Sequence, residues 1–430
     1  MTSLISSLPP PTAYQRRPIR AVNWVWRQLQ EFGFGRFEFN AQKMLDDAST
    51  TTGLDDFGDS DFLDGLNQYL TSVNNQSQLN PLGQYLTYSG TLRLLNNRLW
   101  AEQLIKENPD ILDMPFQPPV VVLGLARSGT TRLHRLLACD EQFLNLKSWE
   151  SVHPVPWTES NRNDYANDPR ISSIDSALKA VMYLGPQIAA IHPLGAHEVE
   201  EEVGLIQHGF ESPIFNTMTH TPGYAIWQME HDNIASYRYM KRLMQLISWY
   251  RKDDVSKPWV LKTPQHMQDL SSLMQVFPNA KLLCTHRDPV KAVGSICSTA
   301  WNSLVRDQNS LNPFDVGEEW FTLYQNWVDH AHSVRTNDVS CEQQIDILYE
   351  GINKNWRTEI SRIYAYLDIP LTEKTLNTMQ NWLDDSGEYK PGGHKYSLAD
   401  FGLNESNVEA AFSQYRERHQ IPFENKNRFE

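Results

Sequence analysis

The segment Val120-Val-Val-Leu-Gly-Leu-Ala-Arg-Ser-Gly-Thr-Thr131 joins an apolar run to a loop framed by two glycines and then to a helix. Val120–Leu123 is short and rich in β-branched residues, which favours a buried parallel strand. Leu133, Leu136 and Leu137 supply the buried stripe of the helix. Such a turn directs several backbone N–H groups and the positive end of a helix dipole to one point, which predicts an anion site. An ordinary glycine turn ahead of a helix is the simpler alternative.

The loop differs from that of a nucleotide triphosphatase in the position of its cation. The spacing approaches a Walker P-loop, but Thr130 follows Gly129 where the diagnostic lysine belongs, and Arg127 lies inside the loop instead. No evident strand ending in Asp follows to help hold magnesium. A P-loop-type small-molecule kinase or nucleotide hydrolase is therefore the weaker prediction.

Further strands follow the first one. Trp259–Lys262, Lys281–Thr285 and Asp346–Tyr349 have strand patterns, and the first two precede helical patterns. Strands that alternate with helices predict an α/β fold, a parallel sheet flanked by helices with right-handed crossovers.

The regions around these strands carry helical periodicity. Residues 1–115 are predicted to be an N-terminal helical region packed on the core, and residues 116–430 an α/β domain. Residues 152–250 are expected to be a helical insert on the acceptor side.

The composition of the chain limits the classes of partner that it can bind. The chain has 430 residues and a formal charge of -14, which argues against nucleic acid or an anionic membrane as the main partner. Its four cysteines form no CxxC pair, so a zinc cluster has no support and a reducing compartment is favoured. We expect no metal, no integral membrane association and a cytoplasmic location, since no run approaches the ~20 apolar residues of a membrane span.

The chain opens with a basic and aromatic arm. Arg16, Arg17 and Arg20 accompany an amphipathic helix predicted around Ile19–Phe32. We expect this helix to pack on the core or to form the contact of a homodimer. Attachment to a membrane surface is the less favoured alternative.

A second anion site is predicted after the strand that ends at Thr285. Asp288 suits a helix N-cap and Pro289 the first helical position. Ser295 lies two turns further on, so Arg287 and Ser295 can clasp one phosphate from two directions. Taken alone, a pairing of Arg287 with a carboxylate is the simpler interpretation.

Together, the two loops resemble those of the sulfotransferases that use 3′-phosphoadenosine-5′-phosphosulfate (PAPS). The chain also resembles one bacterial-type branch of that family over most of its length, in the segments Gly53–Gly58, Asn80–Gly83, Leu261–His266, Tyr349–Glu350 and His394–Leu403. The resemblance implies the P-loop-like sulfotransferase fold, PAPS as cofactor without a metal, and a small-molecule hydroxyl or phenol as sulfuryl acceptor.

The resemblance also implies roles for individual residues. It gives the 5′-phosphosulfate to the first loop, at Arg127, Ser128, Gly129, Thr130 and Thr131. It implies that Arg287 and Ser295 bind the 3′-phosphate. It also implies that His394, Lys395 and Tyr396 belong to a loop that covers the cofactor.

Sulfuryl transfer resembles phosphoryl transfer, so the protein must neutralise developing charge and accept the proton of the acceptor. Arg127 is expected to stabilise the bridging oxygen, and Lys262 is a candidate second cation on the sulfuryl oxygens.

Three candidates for the general base remain open. Glu150, beside Trp149, resembles the base of tyrosylprotein and some bacterial sulfotransferases. His266 is the rival, although cytosolic enzymes place a histidine two residues after the lysine and here it comes four after Lys262. The third candidate is Glu201 with Glu202, which we predict to lie on a polar helix face that also carries His197.

Overall fold

The computed structural model describes residues 6–157, 165–185, 195–386 and 396–424, and a parallel four-stranded sheet lies at its centre. The strand order is β2-β1-β3-β4, with bounds β1 (Val120–Leu123), β2 (Val260–Lys262), β3 (Lys281–His286) and β4 (Gln344–Leu348). The prediction of an α/β fold with a parallel sheet flanked by helices is confirmed.

The side chains of β1 point alternately to the two faces of the sheet, and they are buried on both. Val121 and Leu123 pack in one hydrophobic cluster, whereas Val120 and Val122 pack in another. Helices therefore cover the sheet on both sides, which is why this strand is a continuous apolar run.

The chain crosses from one side of β1 to the other. Val122 pairs with Lys262 of β2, and Leu123 pairs with Cys284 of β3 on the opposite edge. The order of strands thus reverses at β1, and such a switch point forms a crevice at the carboxyl ends of the strands.

Within the described part of the chain, four α-helices precede the sheet: α1 (Arg17–Glu31), α2 (Ala41–Thr52), α3 (Phe62–Gln76) and α4 (Pro81–Glu107). The side chain of Asn80 accepts a hydrogen bond from the Gly83 N–H at 3.0 Å, and Pro81 occupies the first turn, so α4 has a defined start. Helices α2 to α4 share a core with Phe210 and Tyr224, which lie between β1 and β2 in sequence.

Between β1 and β2, the described residues form the α-helices α5 (Thr130–Leu137), α6 (Ser148–Val152), α7 (Pro169–Leu184), α8 (Val203–Ile206), α9 (Ile214–Met218), α10 (Pro222–Glu230) and α11 (Ile234–Arg251). The prediction that His197, Glu201 and Glu202 lie on a helix is wrong. The Ser148 N–H donates to the Glu198 carbonyl at 2.9 Å and the Glu200 N–H to the Leu146 carbonyl at 3.0 Å. Through these hydrogen bonds, the backbone of residues 195–202 pairs with the segment around Leu146 and Ser148 and not with a following turn of helix.

The helices after β2 are α12 (Leu270–Val276), α13 (Pro289–Leu304), α14 (Pro313–Asn337), α15 (Tyr349–Lys354), α16 (Trp356–Leu367), α17 (Glu373–Asp385), α18 (Glu405–Ala411) and α19 (Ser413–Arg418). Among the described residues, no helix combines the length and the apolar character that a membrane span requires. The division of the chain at residues 115 and 116, and the acceptor role of 152–250, stay predictions.

Candidate active site

The loop after β1 is held in an unusual backbone conformation. Arg127 has φ 71° and Gly129 φ 91°, both in the left-handed region. The Ser128 hydroxyl bonds the Leu125 carbonyl at 2.7 Å and the Thr285 hydroxyl at 2.6 Å, so the loop is tied to β3. This conformation brings the loop to the N-terminus of α5, where the first backbone N–H groups of the helix are available to an anion.

A lysine from the neighbouring strand reaches the same helix start. Lys262 ends β2, and its Nζ lies 3.2 Å from the Thr131 hydroxyl. The ammonium group also forms an ion pair with Glu201. The Glu201 side chain is 18% exposed, whereas that of Lys262 is 1% exposed. Glu201 is thus a partly open carboxylate beside the loop.

His266 lies in a buried hydrogen-bonded chain. Its Nε2 lies 2.5 Å from Glu202 Oε1, and its Nδ1 lies 2.8 Å from the Tyr237 hydroxyl. Glu202 also accepts the Lys262 N–H at 3.0 Å. Burial acts to raise the pKa of Glu202, but the hydrogen bond from His266 and its charge outweigh it and lower the pKa. Both ring nitrogens of His266 are engaged, so the structure does not favour it as a base.

Glu150 is buried in an ion pair with Arg251. Its Oε2 lies 3.2 Å from a guanidinium nitrogen of Arg251 and accepts the Lys147 N–H at 2.9 Å. The Tyr165 hydroxyl donates to Oε1 at 2.9 Å. Both oxygens of Glu150 therefore have protein donors, which fits a structural role better than that of a base.

The residues of the second predicted anion site lie at the same carboxyl end of the sheet. Asp288 caps α13 by accepting the Val290 N–H at 3.0 Å, as predicted. Arg287 donates from Nη1 to the Arg127 carbonyl at 2.8 Å, and its guanidinium lies 4.0 Å from the Tyr349 ring centroid. The two loops that carry Arg127 and Arg287 therefore make one site.

The guanidinium of Arg287 also has a carboxylate partner that sequence reasoning missed. Glu424 accepts hydrogen bonds from its Nε at 2.6 Å and its Nη2 at 2.9 Å. Asp288 accepts the Glu424 N–H at 2.9 Å, and Arg416 binds Asp288 at 2.7 Å. The C-terminal segment thus delivers an anion to Arg287, and no motif in the sequence marks Glu424 for that position.

Tyr396 reaches the same helix as Ser295. Its hydroxyl donates to the Lys291 carbonyl at 3.0 Å and is hydrogen-bonded by Ser295. Its ring packs so closely on Gly294 that an added Cβ would lie 2.6 Å away. Tyr396 and Ser295 are therefore in contact, while His394 and Lys395 lie outside the described residues.

One cluster near the site has the composition of a metal centre: His286, Asp346 and His419. Arg335 donates to Asp346 at 2.6 Å, and the two imidazole rings stack with centroids 3.8 Å apart and planes 13° apart. Nearly parallel rings direct their in-plane lone pairs side by side and not to one point. The arrangement is that of a hydrogen-bonded ion network.

The profile of the sulfotransferase family matches residues 118–373, which include all four strands and both loops. The chain belongs to the sulfotransferase family. Its members are enzymes of sulfuryl transfer, and the loops described above are the parts of this sulfotransferase that meet at the switch point.

Curated relatives of this sulfotransferase occur in mycobacteria. The omega-hydroxy-beta-dihydromenaquinone-9 sulfotransferases Stf3 of Mycobacterium bovis and Mycobacterium tuberculosis are each 23% identical over 295 residues. These residues make up 65% of this chain and 70% of each relative.

Two solved mycobacterial sulfotransferases have similar structures. STF9 from Mycobacterium avium has a TM-score of 0.80 and 26% identity, covering 90% of this chain and 99% of STF9. STF1 from Mycobacterium tuberculosis H37Rv has a TM-score of 0.77 and 26% identity, covering 87% of this chain and 98% of STF1. The predicted sulfotransferase fold is confirmed.

Proposed function

We propose that this sulfotransferase uses PAPS and transfers its sulfuryl group to a hydroxyl of a small-molecule acceptor. The observation that carries the proposal is the 2.8 Å hydrogen bond from Arg287 to the Arg127 carbonyl. It joins the two loops that are predicted to bind anions, and PAPS carries anionic groups at both its 5′ and 3′ positions. A single-phosphate ligand needs only one of these loops.

The residues of the two loops fit such a donor. The backbone N–H groups of residues 129–131 and the Arg127 side chain are proposed to hold the 5′-phosphosulfate. Arg287 and Ser295 are proposed to hold the 3′-phosphate. Arg287 supports this role because its guanidinium already binds a planar anion, the carboxylate of Glu424, through two nitrogens. Tyr396 is proposed to contact the adenine.

The catalytic groups are assigned from their placement. PAPS supplies an activated sulfuryl group whose leaving group is adenosine 3′,5′-bisphosphate. Lys262 is proposed to neutralise charge on the sulfuryl oxygens, with Arg127 at the bridging oxygen. We place Glu201 first as the general base, ahead of Glu150 and His266, because its carboxylate is partly open and paired to Lys262.

The acceptor is proposed to be an apolar alcohol or phenol. The names of the curated relatives identify a hydroxylated dihydromenaquinone as the molecule on which they act. That precedent, together with the family, favours a hydroxyl acceptor over an amine. A homodimer and a cytoplasmic location remain predictions.

The proposal is tested with the full chain and sulfur-labelled PAPS. Phenols, sterols, glycosides, fatty alcohols and hydroxylated isoprenoid quinols are offered as acceptors, and label in the product is measured with and without a metal chelator. We expect transfer to at least one hydroxyl compound, retained with chelator. Magnesium-dependent turnover of ATP, without transfer from PAPS, would instead identify a kinase or nucleotide hydrolase.

A further inference from the structure

Helix α1 buries Ile19 but leaves most of its large apolar side chains exposed to solvent. Its inward face is fastened by polar groups: Asn23 accepts the Leu82 N–H at 2.9 Å, and Gln30 donates to Gln84 at 2.8 Å. Its other face carries an apolar stripe at helical spacing that is open to solvent: Val22 (53% exposed), Val25 (50%), Leu29 (47%) and Phe32 (79%). An exposed apolar patch of this kind marks an interaction surface.

Two more exposed aromatic side chains lie near this stripe. Trp24 lies on α1 and Phe34 in the turn after it, and both are more than half exposed. We call these two residues, together with the stripe of Val22, Val25, Leu29 and Phe32, the α1 surface.

The charge around the α1 surface is opposite to that of the rest of the chain. Residues 1–40 contain five arginines and two glutamates, a net charge of +3, in a chain whose total is -14. The arginines are Arg16, Arg17, Arg20, Arg27 and Arg36, and all are exposed. The first forty residues are thus a local exception to an acidic protein, and they attract anionic surfaces that the remainder repels.

We propose that the α1 surface docks on an anionic lipid bilayer, with α1 lying in the plane of the membrane interface. Helices that bind there combine a strongly apolar face with Trp and Phe at the boundary and arginine on the polar side. Arginines close to the membrane surface are attracted to anionic lipid headgroups, which stabilises the bound protein. A symmetric dimer through the same patch would bring two sets of five arginines together, so the charges favour the bilayer.

Docking through the α1 surface orients the predicted acceptor side of the protein relative to the membrane. The guanidinium of Arg16 lies 4.5 Å from the Tyr183 ring centroid, which joins the basic arm to the end of α7. Tyr183 and Met182 are themselves exposed there. A protein bound through the α1 surface therefore holds the end of α7, within the predicted insert, close to the lipid. The docking depends on neither the donor nor the acceptor proposed above.

The test is cosedimentation of the full chain with vesicles of phosphatidylglycerol mixed equally with phosphatidylcholine, or of phosphatidylcholine alone. We expect binding to the anionic vesicles that weakens as salt is added. A Val25→Ser, Leu29→Ser, Phe32→Ser variant should bind at least about tenfold more weakly, since it removes apolar area that the interface would bury. The control is Ile226→Ser, which removes an exposed apolar side chain on α10. It should bind as the wild type does.

A second variant tests the proposal even if the triple serine variant fails to fold. Arg17→Gln with Arg20→Gln keeps the apolar stripe and should weaken binding only to the anionic vesicles. Failure of the wild-type chain to bind anionic vesicles, or equal binding by both variants, overturns the proposal. So does a wild-type dimer that the triple serine variant converts to monomer in sedimentation velocity without any vesicle binding.

Discussion

The carboxylate of Glu424 accepts two hydrogen bonds from the guanidinium of Arg287, at 2.6 and 2.9 Å. A phosphate binds arginine through the same paired geometry. The C-terminal segment therefore occupies the guanidinium that we assign to the 3′-phosphate of PAPS. Asp288 fixes Glu424 by accepting its N–H. Nucleotide binding at Arg287 then requires exchange of one anion for another.

Replacement of Glu424 by Gln is expected to tighten the binding of adenosine 3′,5′-bisphosphate by about tenfold, because the charged competitor for Arg287 is removed. Isothermal titration calorimetry measures the change in Kd. The control is Glu417→Gln, which removes an exposed carboxylate from the neighbouring helix α19. Weaker binding by the Glu424 variant would mean that this carboxylate orients Arg287 and does not compete with the nucleotide.

The contact between Gly294 and Tyr396 offers a test of the covering loop. A Gly294→Ala variant places a Cβ 2.6 Å from the Tyr396 ring and should displace it. We expect the KM for PAPS to rise about tenfold with little change in kcat, since the contact serves binding. Gly90→Ala, on α4 where no atom lies within 4 Å, is the matched control and should leave KM unchanged. An unchanged KM for Gly294→Ala would remove Tyr396 from the cofactor site.

The choice of base is tested by a Glu201→Gln variant. We expect kcat to fall by about 10² to 10⁴ while the Kd for adenosine 3′,5′-bisphosphate is kept, because proton transfer is lost and the nucleotide contacts remain. Single-turnover transfer from PAPS gives the rate. Full turnover by this variant would rule out Glu201, and the same assay on His266→Gln tests its rival.

Glu150 should respond to substitution differently from a base. Glu150→Gln breaks the buried ion pair with Arg251, so we expect the free energy of unfolding to fall by on the order of 3 kcal/mol. Transfer per folded molecule should stay close to that of the wild-type protein. Loss of transfer without loss of stability would return Glu150 to the catalytic role that its position in the sequence predicts.

A buried carboxyl away from the site predicts a pH dependence of stability. Burial raises the pKa of Glu211 from 4.5 to about 8. Between these values the folded carboxyl keeps a proton that the unfolded chain loses, so stability falls as pH rises. The Glu211→Gln variant does not lose stability in this way as pH rises. The difference in Tm between this variant and the wild-type protein should therefore increase from pH 5 to pH 8. The control is Glu230→Gln, an exposed site; a pH-independent difference for Glu211→Gln would contradict the account.

Local signals were sufficient to predict that the strands exist. The strand predicted at Asp346–Tyr349 instead runs over Gln344–Leu348, and Tyr349 begins α15. β1 was predicted at its observed bounds, because a β-branched run ending in glycine has few other solutions. The caps Asp288 and Pro289 likewise act within one turn of the chain. These features depend on neighbours in sequence, which a single sequence contains.

The contacts that decide the chemistry are not local. Glu201 was assigned to a helix, but the strand-like pairing of Val199 with Lys147 removes residues 195–202 from one. Glu424 reaches Arg287 across 137 positions of the chain. The simpler interpretation of Arg287, as the partner of a carboxylate, is correct for this structure, and the phosphate role stays a prediction.

The most direct test of the account compares adenosine 3′,5′-bisphosphate with adenosine 5′-monophosphate, which lacks the 3′-phosphate, by calorimetry. The wild-type protein should prefer the bisphosphate by about a hundredfold, since two charge-assisted hydrogen bonds from Arg287 depend on that phosphate. In Arg287→Gln the preference should nearly vanish while the binding of the monophosphate is retained. Equal affinity of the wild-type protein for the two nucleotides, or an undiminished preference in Arg287→Gln, would contradict the proposed site.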